Sequence, residues 1–291
     1  MNEKKQNTFA EVTFLSQGRC LAGKHWNNGG SHRVIALHGW LDNANSFDLL
    51  APDLPDLNIV AMDFAGHGRS DHRAPDIPYL AMLDVQDVIA VANQLEWESF
   101  SLLAHSMGAE VATHIISLFP ERIERMLAIE GFAESISHQK WLDLHRASID
   151  TNLTKARREL RVYSTTEEMA QSVAKYSGQT VASARLLAVR GTKQVPGGFS
   201  WTSDPRVRWS DALGITYDQM DQNLSGYKGD ILIVGANNGL NWYRGDLDRL
   251  TNKFPSLRFV TIDGSHHLHM DDDRDELLQY IRDFFSLPTE A

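Results

Sequence analysis

Short apolar runs alternate with longer amphipathic segments along most of the chain. Runs such as Val34–Leu37, Ile59–Met62 and Met126–Ile129 contain no polar side chain, which is typical of strands that are buried on both faces. After Pro78, by contrast, apolar residues recur at the spacing of the buried face of a helix. The alternation predicts an α/β fold in which helices cover both faces of a mostly parallel sheet.

Further segments along the chain also have the character of strands. Polar or glycine-rich residues follow most of the strands, and in parallel sheets the carboxyl ends of strands are where functional sites form. A helix that begins in the Asp271 region closes the chain. The additional strands are Phe9–Leu15, Arg19–His25, the run that leads to Ser106, Ile231–Val234 and Arg258–Ile262.

One region breaks this alternation. Residues 132–225 contain no clean buried strand, but they hold helix-like patterns and an irregular stretch over 196–206. We interpret residues 132–225 as a largely helical cap, which is inserted after the sixth strand and lies over the strand ends. Residues 1–131 and 226–291 then form the core that carries the sheet.

Length and composition fit one large α/β domain with an insertion. The chain has 291 residues, of which 42% are hydrophobic and 23% are charged. Its net charge of −10, from 28 basic and 38 acidic residues, argues against nucleic acid and anionic membranes as partners. The single cysteine, Cys20, excludes an internal disulfide and a metal site built on cysteines.

The sequence also carries an expectation about location. No apolar run is long enough to span a membrane, and no apolar stretch follows the basic residues at the amino terminus. We therefore see no signal peptide and expect a cytoplasmic protein. The oligomeric state stays open between a monomer and a homodimer.

The clearest candidate for chemistry is the turn at Ser106. The apolar run before it ends at His105, and an amphipathic pattern with Val111 begins just after it. This pattern predicts a strand, a sharp turn and a helix, with a serine hydroxyl that projects from the sheet. The flanking residues Ala104 and Gly108 are small, as such a close approach requires. Taken alone, the pattern also fits a serine that caps an ordinary helix.

Four motifs together give the chain a specific resemblance. Their order and spacing resemble those of the α/β-hydrolase superfamily, which implies a mostly parallel, eight-stranded sheet flanked by helices, with an inserted helical cap. Within the superfamily the chain is similar to the serine hydrolase-like proteins, through residues 38–48, Gly197–Phe199 and Asp204–Arg206. The four motifs are His38-Gly39-Trp40, residues 63–70, Ala104-His105-Ser106-Met107-Gly108 and residues 264–269.

The resemblance implies a serine nucleophile, an acid and a histidine base, in that order along the chain. A serine hydroxyl is a weak nucleophile until a base takes its proton, so Ser106 needs such a partner. His266 follows the last strand, which is the usual place for the base. His267 is its main competitor, and His269 is expected to be a structural residue beside the site.

The acid departs from the usual pattern. Many members of the superfamily carry it after the strand that here ends near Asn238, an amide that has no charge to stabilise an imidazolium. We therefore predict that Glu130, which follows the preceding strand, supplies the carboxylate, as in a branch that includes some haloalkane dehalogenases. Glu130 could instead be a solvated strand-end residue or a contact to the cap. Asp246 and Asp263 are weaker alternatives for the acid.

Acyl transfer also requires two donors for the oxyanion. The backbone N–H of Met107 is one candidate, because the start of a helix favours negative charge. The backbone N–H of Trp40 is the other, and its ring either packs in the core or lines the acyl pocket. His38 and Asp63 are expected to brace loops, and His105 is expected to lie behind the site.

The leading hypothesis is a serine hydrolase that cleaves small-molecule carboxylic esters through an acyl-enzyme, with no metal or organic cofactor. A serine rather than an aspartate at position 106 argues against the epoxide hydrolases and haloalkane dehalogenases. A thioesterase, a C–C bond hydrolase or a perhydrolase would use the same machinery, and the fold does not separate them. A ligand-binding protein with a degenerate site is the alternative from another class.

Overall fold

The computed structural model describes residues 9–154, 159–208, 214–240, 242–271 and 274–286, so the amino-terminal residues in which a signal peptide would begin lie outside it. No helix within these ranges is both long and apolar enough to cross a lipid bilayer. The strands are β1 (Ala10–Ser16), β2 (Arg19–Asn27), β3 (His32–Leu37), β4 (Leu57–Met62), β5 (Phe100–His105), β6 (Ile123–Ile129), β7 (Ser135–Ile136), β8 (Thr192–Val195), β9 (Gly198–Trp201), β10 (Ile215–Thr216), β11 (Asp230–Asn238) and β12 (Leu257–Ser265). The α-helices are α1 (Ala81–Gln94), α2 (Met107–Leu118), α3 (His138–Thr154), α4 (Thr166–Ser177), α5 (Val181–Gly191), α6 (Tyr217–Gly226), α7 (Leu247–Lys253) and α8 (Asp275–Ser286).

Eight of the strands form one sheet, in the order β1-β2-β4-β3-β5-β6-β11-β12. Strand β2 runs antiparallel to both of its neighbours, and every other pairing in this sheet is parallel. The mostly parallel, eight-stranded sheet expected from the sequence is therefore confirmed. Strands β11 and β12 extend beyond their apolar runs to Asn238 and Ser265, because their last residues pair outside the buried part of the sheet.

The strands are apolar on both sides because each face of the sheet carries its own buried core. In β3, Ile35 and Leu37 pack into one core and Val34 and Ala36 into the other. Helices α1 and α2 bury apolar residues in the first core, and α8 buries its apolar face in the second. This two-sided burial accounts for the continuous apolar runs in the sequence.

The region between β6 and β11, called here the intervening region (residues 132–225), is largely helical in its described part. It contains α3 to α6, together with two small sheets, a parallel pair of β7 with β10 and an antiparallel pair of β8 with β9. Strand β9 falls within the stretch that the sequence predicted to be irregular. Pro196 and Gly197, which has φ of +87°, form the tight turn between β8 and β9.

A buried ion pair joins the intervening region to the sheet. Arg190, on α5, donates through Nε to both oxygens of Asp63, at 3.0 Å and 2.8 Å, and both side chains are buried. Asp63 follows β4 and also accepts from the backbone N–H groups of Ala44 and Arg69. Asp63 therefore braces two loops, as the sequence suggested, and also binds a helix that follows it by more than a hundred residues.

Replacing Arg190 by leucine is expected to lower the free energy of unfolding by about 3–5 kcal/mol, because the charge of Asp63 then stays buried without its cation. Urea-induced unfolding measures this change. Arg185→Leu is the matched control, since Arg185 lies on the same helix but pairs with Glu167 at the exposed surface, and it should have little effect. Equal losses from the two substitutions would contradict a special role for the buried pair.

Candidate active site

The turn at Ser106 has the geometry that its sequence predicts. Strand β5 ends one residue before Ser106 and α2 begins one residue after it, while Ser106 itself has φ of +50° and ψ of −119°. A Cβ on Gly108 would lie 2.4 Å from the carbonyl oxygen of Leu37, and one on Gly131 would lie 2.6 Å from that of Ser106. Glycine is therefore required at both positions by the close approach of neighbouring backbone.

The structure brings Ser106, His266 and Glu130 together in one hydrogen-bonded chain. Nε2 of His266 lies 3.1 Å from Oγ of Ser106, and Nδ1 of the same ring lies 3.0 Å from Oε2 of Glu130. The three residues follow β5, β12 and β6, so the chain forms where the carboxyl ends of parallel strands meet. The arrangement allows the imidazole to take the serine proton at one nitrogen while a carboxylate faces the other.

Glu130 is fully buried and has a left-handed backbone conformation, with φ of +50°. Burial alone would raise the pKa of Glu130, but its carboxylate accepts hydrogen bonds from His266 and from four other donors. The bonds from His266, Ala236, Leu240 and Tyr243 lower the pKa to about 2. Glu130 is thus an anion at neutral pH, and its complete burial excludes the solvated strand-end role. The four other donors are the backbone N–H of Ala236 at 2.6 Å, that of Leu240 at 2.8 Å, the Tyr243 hydroxyl at 2.8 Å and Nη2 of Arg244 at 3.1 Å.

The other candidates for the acid lie elsewhere. Asn238 is exposed and donates to the side chain of Asn237, which in turn donates to Asp263. Asp246 forms an ion pair with Arg249, three residues further along the chain. Among the described residues, Glu130 is the one carboxylate that is hydrogen-bonded to the ring of His266.

Four further histidines lie near the hydrogen-bonded series of Ser106, His266 and Glu130, and none of them is hydrogen-bonded to the Ser106 hydroxyl. His38 braces two loops, since Nδ1 donates to the Gly39 carbonyl oxygen at 2.7 Å and Nε2 accepts from the Phe64 backbone N–H at 3.0 Å. Burial lowers the pKa of His38 to about 4, so it is neutral there. The other three, His105, His267 and His269, pack against one another, and His105 and His267 also contact His266.

A cavity of about 930 Å³ opens above Ser106. Trp40 is half-exposed at its wall, so its indole is not packed in the core, and Nε1 donates to the carbonyl oxygen of Val207 at 2.8 Å. A smaller cavity of about 260 Å³ borders Ser106 on another side, and it is lined by Trp40 and by Met107. Both predicted oxyanion residues thus border a cavity that reaches Ser106.

Several polar residues around the site had no signal in the sequence. Tyr243 and Arg244 follow β11 in a stretch without a recognisable motif, yet both donate to the buried carboxylate of Glu130. Asp42 was part of a family motif, but nothing in the pattern predicted that it would lie 3.3 Å from His105. Within the described residues, the two groups of three possible metal ligands also lie here, and they involve Asp42 and the four histidines at positions 105, 266, 267 and 269.

Comparison with known proteins agrees with this architecture. A model of the α/β-hydrolase fold family matches residues 32–273. The chain is 33% identical over 265 residues to a serine hydrolase-like protein of Danio rerio, covering 86% of this chain and 80% of that protein. It is 30% identical over 271 residues to a serine hydrolase-like protein of Mus musculus, covering 86% and 87%.

A solved structure is similar along almost the whole chain. The crystal structure of a hypothetical protein from Pseudomonas aeruginosa PAO1 superimposes with a TM-score of 0.85 at 35% identity, covering 94% of this chain and 97% of that one. The sheet order, the turn at Ser106 and these similarities agree with one another. The chain therefore belongs to the α/β-hydrolase fold family and is similar to its serine hydrolase-like members.

Proposed function

We propose that the protein is a serine hydrolase that cleaves carboxylic esters through an acyl-enzyme. The observation that carries the proposal is the continuous hydrogen-bonded chain from Ser106 through His266 to Glu130, at the floor of a cavity. Its buried carboxylate is anionic, its imidazole contacts the serine hydroxyl, and all three groups are held by the ends of sheet strands. These are the properties that a serine nucleophile requires of its partners.

The proposed reaction has two steps, acylation of Ser106 and hydrolysis of the acyl-enzyme, and His266 transfers a proton in both. Oγ of Ser106 attacks the ester carbonyl while Nε2 of His266 takes the serine proton, and Glu130 stabilises the imidazolium. The backbone N–H groups of Trp40 and Met107 stabilise the oxyanion, and the start of α2 adds its dipole. His266 then gives the proton to the leaving alcohol. Water, activated by the same histidine, releases the acid from the serine.

We propose further that residues 132–225 act as a cap and that residues 1–131 and 226–291 form the hydrolase core. The cavity above Ser106 is lined from the intervening region by Tyr163, Leu187 and Trp201. These large apolar groups suit the acyl part of an ester. The alternative of a ligand-binding protein was motivated by Asn238, and the contact of Glu130 with His266 favours the enzyme over it.

A fluorophosphonate probe is expected to label Ser106 covalently, because its activated hydroxyl attacks such phosphorus centres. Ser106→Ala should abolish labelling and the hydrolysis of p-nitrophenyl butyrate, as measured by gel fluorescence and by absorbance. Ser203→Ala is the matched control, since Ser203 lines the same cavity but is not hydrogen-bonded to His266. Labelling that persists in the Ser106→Ala protein would contradict the proposed nucleophile.

Glu130→Gln is expected to lower kcat for p-nitrophenyl butyrate by about 10³–10⁴-fold. The neutral amide does not stabilise the imidazolium of His266 as the carboxylate does, and it favours the tautomer of His266 that cannot accept the serine proton. Asn238→Ala should have a much smaller effect, since its side chain is exposed and does not touch His266. Thermal unfolding of both variants verifies that they are folded. A larger loss from Asn238→Ala than from Glu130→Gln would assign the acid elsewhere.

The rate of ester hydrolysis is expected to fall at low pH. His266 can accept a proton only while it is neutral, and burial lowers the pKa of His266 below 6.5 against the opposing hydrogen bond to Glu130. Activity should therefore be full above about pH 6.5 and should be lost as the pH falls through the lowered pKa. The profile of kcat/KM against pH measures this, and a rate that stays unchanged over the whole acid range in which the protein remains folded would contradict a histidine base.

A further inference from the structure

A cluster of buried polar atoms without hydrogen-bond partners lies beside the proposed active site. It consists of Asp42, His105, His267 and His269, called here the Asp42–histidine cluster, and each of these side chains is at most 7% exposed. In the described part of the chain, fourteen buried side-chain nitrogen or oxygen atoms have no hydrogen-bond partner, and five of them belong to this cluster. Buried polar groups are normally paired, so such a concentration calls for a physical reason.

The tautomer of His105 sharpens the problem. Nε2 of His105 lies 3.0 Å from the backbone carbonyl oxygen of His266, and because a carbonyl can only accept, Nε2 carries the hydrogen. In the neutral ring, Nδ1 of His105 then presents a lone pair. Nδ1 faces Oδ2 of Asp42 at 3.3 Å, and neither atom has a hydrogen-bond partner. Two lone pairs directed at each other require either a proton or a metal ion between them.

The separation of these two atoms matches that of two ligands on one metal ion. Zinc binds nitrogen and oxygen at about 2.0–2.1 Å in tetrahedral sites, so two of its ligand atoms lie about 3.3 Å apart. Oδ2 of Asp42 and Nδ1 of His105 are 3.3 Å apart. Both atoms are buried and unpaired, and both belong to residues that coordinate first-row divalent metals well.

His269 is the candidate for a third ligand. Its ring is fully buried, neither of its nitrogens has a hydrogen-bond partner, and its centroid lies 4.1 Å from that of His105. One ligand atom from each of Asp42, His105 and His269 lies within 4.8 Å of the other two. Nδ1 of His267 is also buried and unpaired beside His105, but it does not belong to this group of three.

We propose that Asp42, His105 and His269 form a binding site for a divalent first-row transition metal, with Zn²⁺ as the best-matched ion. The backbone carbonyl of His266 holds the distal N–H of His105, which is the outer contact that orients histidine ligands at metal sites. The ion can enter from the large cavity, since Asp42, His105 and His267 all line it.

Occupancy of the site has a consequence for its neighbour. The ring of His266 lies 4.8 Å from that of His105, centroid to centroid. A divalent cation bound to the neighbouring His105 opposes a positive charge on His266. Bound zinc therefore inhibits ester hydrolysis if His266 acts as the proposed base, whereas binding itself does not depend on that role.

The test measures metal binding directly on the full-length protein, freed of metal by a chelator. Zn²⁺ is titrated in competition with a chromogenic chelator, and Co²⁺ is added separately to record the visible absorption of a four-coordinate site. We expect one ion per chain and an increase in the thermal midpoint on adding Zn²⁺. The same signals are expected in Ser106→Ala, which separates the metal site from the proposed nucleophile.

Two ligand variants and one control distinguish this site from adventitious binding. Asp42→Asn and His269→Gln preserve shape and polarity, and each should weaken Zn²⁺ binding by at least about 10-fold. His138→Gln removes an exposed histidine and should leave binding unchanged. The proposal is overturned if the wild-type chain binds no ion, or if both ligand variants, shown to be folded by their circular dichroism, bind as tightly as the wild type. Either result would leave a proton as the cation between Asp42 and His105.

Discussion

The burial of one negative charge, on Glu130, organises the site. A carboxylate taken out of water is stable only when donors surround it, and here five groups serve that purpose. They come from the ends of β11 and β12 and from the segment that follows β11. The same contacts that stabilise the charge therefore fix the position of His266, and through it the distance to Ser106.

This arrangement requires backbone conformations that side chains disfavour. Leu41, Ser106 and Glu130 all have positive φ, at +64°, +50° and +50°. Ser106 and Glu130 directly follow β5 and β6, and Leu41 lies in the loop after β3. Such conformations persist only where the surroundings hold them in place. Here the close backbone of Gly131 holds Ser106, and the hydrogen-bond donors around the carboxylate hold Glu130. The surrounding ends of the parallel strands thus maintain the strained conformations at the site.

The fold could be predicted from the sequence because its signals are local. Apolar runs such as Val34–Leu37 mark buried strands, and the small residues around Ser106 mark a sharp turn. The β8–β9 hairpin was missed, because β8 is mostly polar and both strands are short and lie outside the sheet. The donors Tyr243 and Arg244 were missed for another reason: they meet Glu130 across more than a hundred residues, and no local pattern encodes that contact.

The ion pair of Asp63 with Arg190 limits which intervening regions can be combined with this sheet. Asp63 follows strand β4 of the sheet, and Arg190 lies in the intervening region. Replacing either residue alone therefore leaves an unpaired charge in the interior. A chimera that grafts residues 132–225 of a relative onto this sheet must therefore return a cation to the same place. A contact that does not line the cavity above Ser106 thus decides which intervening regions can be exchanged between relatives.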